Sequence, residues 1–254
     1  VIHLRSVREI DVIAEGGAII GALHAELARR IAPGMTTAEI DTFCEEFIVG
    51  HDGAEAAFKG LYGFPGSVCI SVNEEIVHGI GSATRKLEEG DIVSVDVGVK
   101  LHGWYTDSAR TFPVGDIDAP TAALLDVTAS SLDAAIAAAI PGNHVGDLGA
   151  AVMGAVSGTG MGIVRDLVGH GVGRELHEEP QIPNVGRAGY GPLLRAGMVL
   201  AIEPMISLGS EEIRTLDDGW TVVTADGSRS AHFEHTIAVT DGGPRILTMS
   251  PQES

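Results

Sequence analysis

The chain is short of positive charge. Against 35 Asp+Glu it carries 16 Lys+Arg, for a formal net charge of −19, and its only lysines are Lys59, Lys86 and Lys100. A nucleic-acid binder needs a basic face to meet phosphates, and the nearest approach to one is Arg85-Lys86, so direct DNA binding is excluded. Cysteine is scarce as well. Cys44 and Cys69 make neither a disulfide framework nor a zinc knuckle, and Cys44, at helical spacing from Ile40 and Phe47, reads as a buried core thiol. No apolar run approaches the roughly 18–20 residues of a membrane span. The opening VIHLRSVREIDVIAEGG is interrupted by charges where a signal peptide has its apolar core. The expectation is a cytoplasmic protein without a membrane partner.

What is present is ample for a sizeable core: 254 residues, 44% of them hydrophobic, read as a single domain. The chain also repeats itself. IAPGMTTAEI (31–40) resembles AIPGNHVGDL (139–148), and LEEGDIVSVD (87–96) resembles LLRAGMVLAIE (193–203). Pro33 and Pro141 are 108 residues apart, while Gly90 and Gly197, like Asp96 and Glu203, are 107 apart. Chance matches would not share a spacing, so the reading is a duplication with halves of approximately 1–115 and 116–254.

Each half places helices before strands. Val7, Ile10, Ala14, Gly17, Ala18 and Gly21 predict a helix over 6–30 with a small-residue stripe for close packing. Pro33-Gly34 ends it, and Thr37 is set to cap a second helix over 38–49. The second half repeats this with helices at 120–139 and near 145–157. Strands are expected at 67–73, 91–99, 104–112, 163–169, 198–206, 220–225 and 231–239. VKLHGWY is short enough for a hairpin loop, and Asp226-Gly227 is expected to turn a hairpin between Thr221-Val222-Val223 and the Glu234 strand. The class is α+β, with antiparallel strands of both halves joined into one sheet and helices covering its outer face.

Within the strand-like runs stand four carboxylates and a histidine: Asp96 in IVSVDVGV, Asp107 in WYTDSARTF, His170 in LVGHGVG, Glu203 in MVLAIEPMI and Glu234 in AHFEHTIAV. An unpaired charge taken from water costs several kcal/mol or more, and too few basic residues exist to pair these. Metal cations supply the missing charge. Oxygen-rich ligation with one imidazole suits Mn, Fe(II), Co or Zn, and bridging carboxylates let the set hold two cations roughly 3.5–4 Å apart. Glycines flanking His170 let backbone approach a metal or substrate closely. His177-Glu178-Glu179-Pro180 begins like a zinc motif, but Gln181 stands where its second histidine belongs. His78 and His177 remain as imidazoles able to donate to an oxyanion or shuttle a proton. His3, His24, His51, His102, His144, His232 and His235 have no context that raises them above ordinary histidines.

The ordered set VSVDVGVKLHGWYTDSARTF, GHGVGRELHEEPQIPN, AIEPMI and AHFEHTIAVT, with SVCISVNEEIVHGI before it, resembles the type I methionine aminopeptidases. The likeness runs from about residue 6 to 248. It implies the pita-bread fold, with pseudo-twofold duplicated halves and a curved antiparallel sheet under outer helices. It implies two divalent metal ions (Co, Mn, Fe(II) or Zn) held by Asp96, Asp107, His170, Glu203 and Glu234. Asp107 and Glu234 bridge in this scheme, Asp96 chelates one ion, and His170 with Glu203 binds the other.

By the same resemblance His177 contacts the scissile carbonyl, His78 contacts substrate near the first peptide bond, and Glu203 doubles as proton shuttle. The methionine pocket maps onto Phe64, Cys69 and Trp220, with Phe58, Leu61 and Tyr62 at its rim. Phe64 stands where several members have tyrosine, and Leu176 where they have an aromatic residue. The implied activity is removal of N-terminal methionine from peptides and nascent proteins when the second residue is small. A metal-bridging hydroxide attacks in that scheme, and the enzyme is a monomer in transient contact with the ribosome. A Xaa-Pro peptidase is the rival on the same fold, but FEHT replaces the Arg-x-Glu-Asp-like setting of those relatives. A non-catalytic binding module is the rival of another class, and such relatives lose ligands that all remain here.

Overall fold

The computed structural model describes residues 1–250. Helix α1 (Val7–Arg30) begins at Ser6, whose side chain accepts from the Glu9 amide while Glu9 reaches back to the Ser6 amide. Helix α2 (Thr37–Val49) repeats the device with Thr36 and Glu39. The cap is thus one residue earlier than expected. Thr37 is already helical and buried, and its hydroxyl accepts from the Ser82 amide instead. Helices α3 (Ala119–Ala138) and α4 (Val145–Val156) complete the second half.

The duplication is visible atom by atom. Gly34 and Gly142 both take the left-handed conformation, at φ 91° and 95°. Each donates its amide to a leucine carbonyl, Leu87 or Leu194, and the isolated bridge Thr36–Lys86 recurs as His144–Leu193. The first half packs Ile20, Leu23, Leu27, Ile40 and Ile48 onto Ile70, Val93, Val95 and Val97. The second packs Leu124, Leu132, Leu148 and Val152 onto Leu200, Ile202, Ile237 and Val239.

The buried face of α1 differs from the expected stripe. Val7 and Ala18 are exposed, and Ile10, Ile13, Gly17, Ile20 and Gly21 turn inward. A Cβ on Gly17 would overlap the Leu247 carbonyl, and one on Gly21 the Met249 carbonyl. Close packing is therefore against the end of the described chain.

All strand pairs are antiparallel. Ile92–Leu101 and Trp104–Pro113 form a hairpin paired along its full length, turned at His102-Gly103, with Cys69–Val72 and Ala54–Ala56 pairing the Ile92–Leu101 strand. The second half builds a ladder in the order Gly243–Ile246, His235–Thr240, Val199–Ile202, Val168–Gly171, Glu178–Pro183. Two three-stranded ladders lie between them, centred on Met205–Ser207 and on Val222–Thr224.

Three expected strands are interrupted. The 163–169 run divides into Gly162–Ile163 and Val168–Gly171, and 198–206 divides at Glu203-Pro204. The 231–239 run divides at Phe233-Glu234. Proline lacks the ladder donor, and the chain changes ladder at that break. Asp226-Gly227 does turn the chain, with Gly227 at φ 76°, but it makes no hairpin. Val222–Thr224 pairs with Ile213–Thr215 and Glu75–Val77, while Ser230–His232 pairs with Met205–Ser207.

Helix α3 is long and apolar enough, at mean hydropathy 1.3, to cross a membrane by length and composition. It holds no long continuous apolar run; alanines among Ser, Thr and Asp raise its mean. In the fold it packs on α4 and the second-half strands, burying Leu124, Leu132 and Ile136.

A substitution at Gly17 tests the packing of α1, and one at Gly154 of α4 serves as its exposed counterpart. Gly17→Ala is expected to lower unfolding free energy by about 1–3 kcal/mol through overpacking. Gly154→Ala, on the exposed side of α4 with nothing within 4 Å of its added Cβ, is expected to raise it by about 0.5–1 kcal/mol. Urea unfolding of both variants gives the comparison.

Candidate metal centre and substrate cavity

Strand register brings the first two carboxylates together. Asp107 lies opposite Gly98, and Asp96 opposite Ala109, so both aspartates project from one face of the hairpin. The second half is fastened alongside by side-chain hydroxyls. Asp107 donates its amide to Thr236 Oγ1 at 3.0 Å and accepts from it at 2.7 Å. His232 does the same with Thr111 Oγ1, at 2.9 Å both ways. Between them the Glu234 amide reaches the Ala109 carbonyl at 2.8 Å, and Ser108 Oγ donates to the Glu234 carbonyl at 2.6 Å. Residues 107–111 and 232–236 thus run antiparallel, with threonine hydroxyls in place of two backbone rungs.

His170 sits in the middle strand of its ladder, opposite Gln181 and Ala201. The flanking glycines serve strand packing. A Cβ on Gly169 would overlap the Ala201 carbonyl, and one on Gly171 the Glu179 carbonyl. Nδ1 lies 2.9 Å from the Gly171 carbonyl, which can only accept, so Nδ1 carries a proton and Nε2 is the nitrogen left for a cation to take. Nε2 faces Asp107 Oδ2 at 3.5 Å and Glu203 Oε1 at 3.6 Å.

Asp107, His170 and Glu234 offer ligand atoms all within 4.8 Å of one another. Asp96 Oδ1, Asp107 Oδ1 and Glu234 Oε1 are buried without a hydrogen-bond partner among the described residues. Burial, then the charges of Asp107 and Glu203, pushes the Asp96 carboxyl well above its ordinary range. Burial and the charges of Asp107, Glu203 and Asp96 do the same to Glu234. Burial works against the His170 cation, but the hydrogen bond to Asp107 and the charge of Glu203 outweigh it and raise its pKa to about 9. Without metal Nε2 is therefore protonated as well, and a bound cation would replace that proton; orphaned oxygens, mutual repulsion and one aimed imidazole nitrogen form a donor set that fits divalent cations.

Every site residue named from the sequence lines one cavity of about 290 Å³, and Leu176 joins them. Phe58, Phe64, Cys69 and Leu176 form its buried apolar wall, with Leu61 and Trp220 packed against them. Phe64 meets Trp220 edge-on at 5.2 Å between ring centres. Gly98 makes room for the Phe58 ring. Tyr62, largely exposed, stacks on His177 at 6.1 Å, and His177 meets His170 edge-on at 4.5 Å. Burial lowers the pKa of His78 and of His177, so both are neutral hydrogen-bond donors near pH 7. Burial and the charges of Asp96 and Asp107 hold the Cys69 thiol protonated. Tyr62 and His78 have φ of 53° and 60°, a conformation costly for residues with a Cβ.

One residue passed over in the sequence belongs beside this site. His232 is 1% exposed, and its Nε2 lies 3.6 Å from Glu203 Oε2. Only its position two residues before Glu234 could have flagged it.

The sequence pattern of metallopeptidase family M24 matches residues 11–241. The methionine aminopeptidase of Clostridium perfringens is 49% identical over 248 residues, covering 98% of this chain and 99% of the relative. Methionine aminopeptidase 1 of Bacillus subtilis is also 49% identical, covering 95% and 96% respectively. The crystal structure of methionine aminopeptidase from Thermotoga maritima matches with TM-score 0.96 at 44% identity, over 98% of this chain and 100% of the other. The prolidase from Pyrococcus horikoshii matches with TM-score 0.76 at 23% identity, over 97% of this chain and 63% of that one, a likeness of fold.

Repulsion among the buried carboxylates sets the behaviour of metal-stripped protein. Carboxyls whose folded pKa is raised bind more protons in the native state, so their contribution to stability falls as pH rises from the ordinary carboxylate range toward the raised value. Asp96→Asn is expected to raise the melting temperature of stripped protein at pH 7, by about 2–4 °C per kcal/mol of repulsion removed. It should also flatten the decline with pH and diminish the stabilisation that added Mn²⁺ gives the wild type. Calorimetry with and without metal measures all three.

Proposed function

The chain belongs to metallopeptidase family M24, among the methionine aminopeptidases and with their pita-bread fold, and we propose that its cavity removes N-terminal methionine from peptides and nascent proteins whose second residue is small. The observation that carries this reading is the shared cavity. The carboxylate–imidazole cluster opens directly into a pocket with an apolar wall that includes Phe64, Cys69 and Trp220. A thioether packs well against such aromatic walls, gaining about 0.3–1.5 kcal/mol per contact.

Asp96, Asp107, His170, Glu203 and Glu234 are the residues that would hold the divalent cations. Two divalent cations there supply Lewis acidity toward the scissile carbonyl and acidify the attacking water. The remaining work falls to the protein. The apolar wall orients the methionine side chain and excludes solvent from the bond to be cut. His177, neutral and beside His170, donates to the carbonyl oxygen as it gains charge. His78, held at its unusual backbone angle, contacts the substrate near the first peptide bond. Glu203 takes the proton from the attacking water and returns it to the leaving nitrogen. We further propose that the enzyme acts as a cytoplasmic monomer on emerging chains.

Metal-stripped protein restored with Mn, Co, Fe(II) or Zn is expected to release methionine from Met-Ala-Ser and to leave a Xaa-Pro peptide intact. Absence of methionine release with every metal sinks the reading. Glu203→Ala is expected to reduce kcat by at least about 10²–10⁴ while circular dichroism stays unchanged. Near-normal turnover in that variant removes Glu203 from the mechanism.

A further inference from the structure

Glu203 stands between two imidazoles, one at each carboxylate oxygen. Oε1 faces His170 Nε2 and Oε2 faces His232 Nε2, both at 3.6 Å. The Glu203 carbonyl is held separately by Asn184 Nδ2 at 3.1 Å, with Asn184 itself buried. The side-chain torsions are therefore what remains to be fixed, and the two rings bracket them.

His232 is built for that task. Thr111 Oγ1 takes its amide and donates to its carbonyl, so the backbone carrying the ring is fixed on both sides. The ring is 1% exposed, and neither nitrogen has a hydrogen-bond partner among the described residues. Polar groups so deeply buried are nearly always satisfied. The near group that can accept from Nε2 is Glu203 Oε2, which a small side-chain rotation brings from 3.6 Å into hydrogen-bond range. A carboxylate oxygen only accepts, so the ring proton belongs on Nε2.

We propose that His232 is a positioning residue for Glu203. Its Nε2–H holds Oε2, which leaves Oε1 directed toward His170 and the cation these two residues would share. The inference rests on the ligand role given to Glu203 above. It assigns His232 no contact with substrate and no proton transfer. A donor is required at this place, and a side chain that merely fills the volume does not replace it.

The test compares His232→Leu, which fills much of the space without a donor, with His232→Gln, which restores an N–H at similar reach. Mn²⁺ affinity is measured by titration calorimetry on metal-stripped protein, and turnover on Met-Ala-Ser. For His232→Leu, Mn²⁺ binding is expected to weaken about 10–100-fold and kcat to fall by a similar factor, as for other partners that orient metal ligands. KM should change little. His232→Gln is expected to recover most of both losses. In a Glu203→Ala background, His232→Leu should weaken Mn²⁺ binding no further, because the group it positions has been removed. Wild-type affinity in His232→Leu overturns the proposal. So does an equal loss in a well-folded His232→Gln, or a loss that persists undiminished in the Glu203→Ala background. If the wild type released no methionine at all, the functional reading would fail, and the Mn²⁺ titrations would still decide the role of His232.

Discussion

Four carboxylates converge on one cavity, and among the described residues no Lys or Arg lines it. Asp96, Asp107, Glu203 and Glu234 would repel one another and drive the strands that carry them apart unless cations enter among them. Much of the surrounding architecture can be understood as keeping that arrangement closed. The long hairpin fixes two of the acids by register. The hydroxyl rungs from Thr111, Ser108 and Thr236 hold the second half against it, and the glycines beside His170 let three strands crowd close enough to aim its ring.

The same burial that makes the acids costly divides the cavity into two kinds of lining. One wall consists of aromatic rings, a leucine and a protonated thiol, and the opposite wall of charge donors. His78 and His177 stand where the two meet, uncharged because burial keeps them so. A polar environment that needs no rearrangement when charge develops is the larger part of what such sites contribute.

The regular parts of this design were legible in the sequence. Periodicity marked all four helices, and the short VKLHGWY connection gave the hairpin that places Asp96 and Asp107. The 107–108-residue offsets announced a repeat that reappears in the left-handed Gly34 and Gly142. What escaped was whatever depends on interruption. Glu203 and Glu234 sit in breaks between short strands, yet their flanks are as apolar as any strand, and hydrophobicity alone cannot show where a ladder stops. Asp226-Gly227 carried the local signature of a hairpin, but tertiary pairing sent its two arms to different ladders. His232 was invisible for a related reason. A histidine gains meaning from the carboxylate across the strand from it, and that neighbour lies 29 positions away in the chain.

The threonine rungs have one further implication. Thr111 in the first half completes the hydrogen bonds of His232 in the second, and Thr236 in the second completes those of Asp107 in the first. The exchange is reciprocal about the Glu234–Ala109 contact, as an isologous interface between two identical subunits would be. A single chain thus carries inside it the contact surface of a symmetric dimer. Losing the hydroxyl of Thr111 or Thr236 in one half would strip a backbone amide and carbonyl of their partner in the other, so each half answers for the backbone of its counterpart.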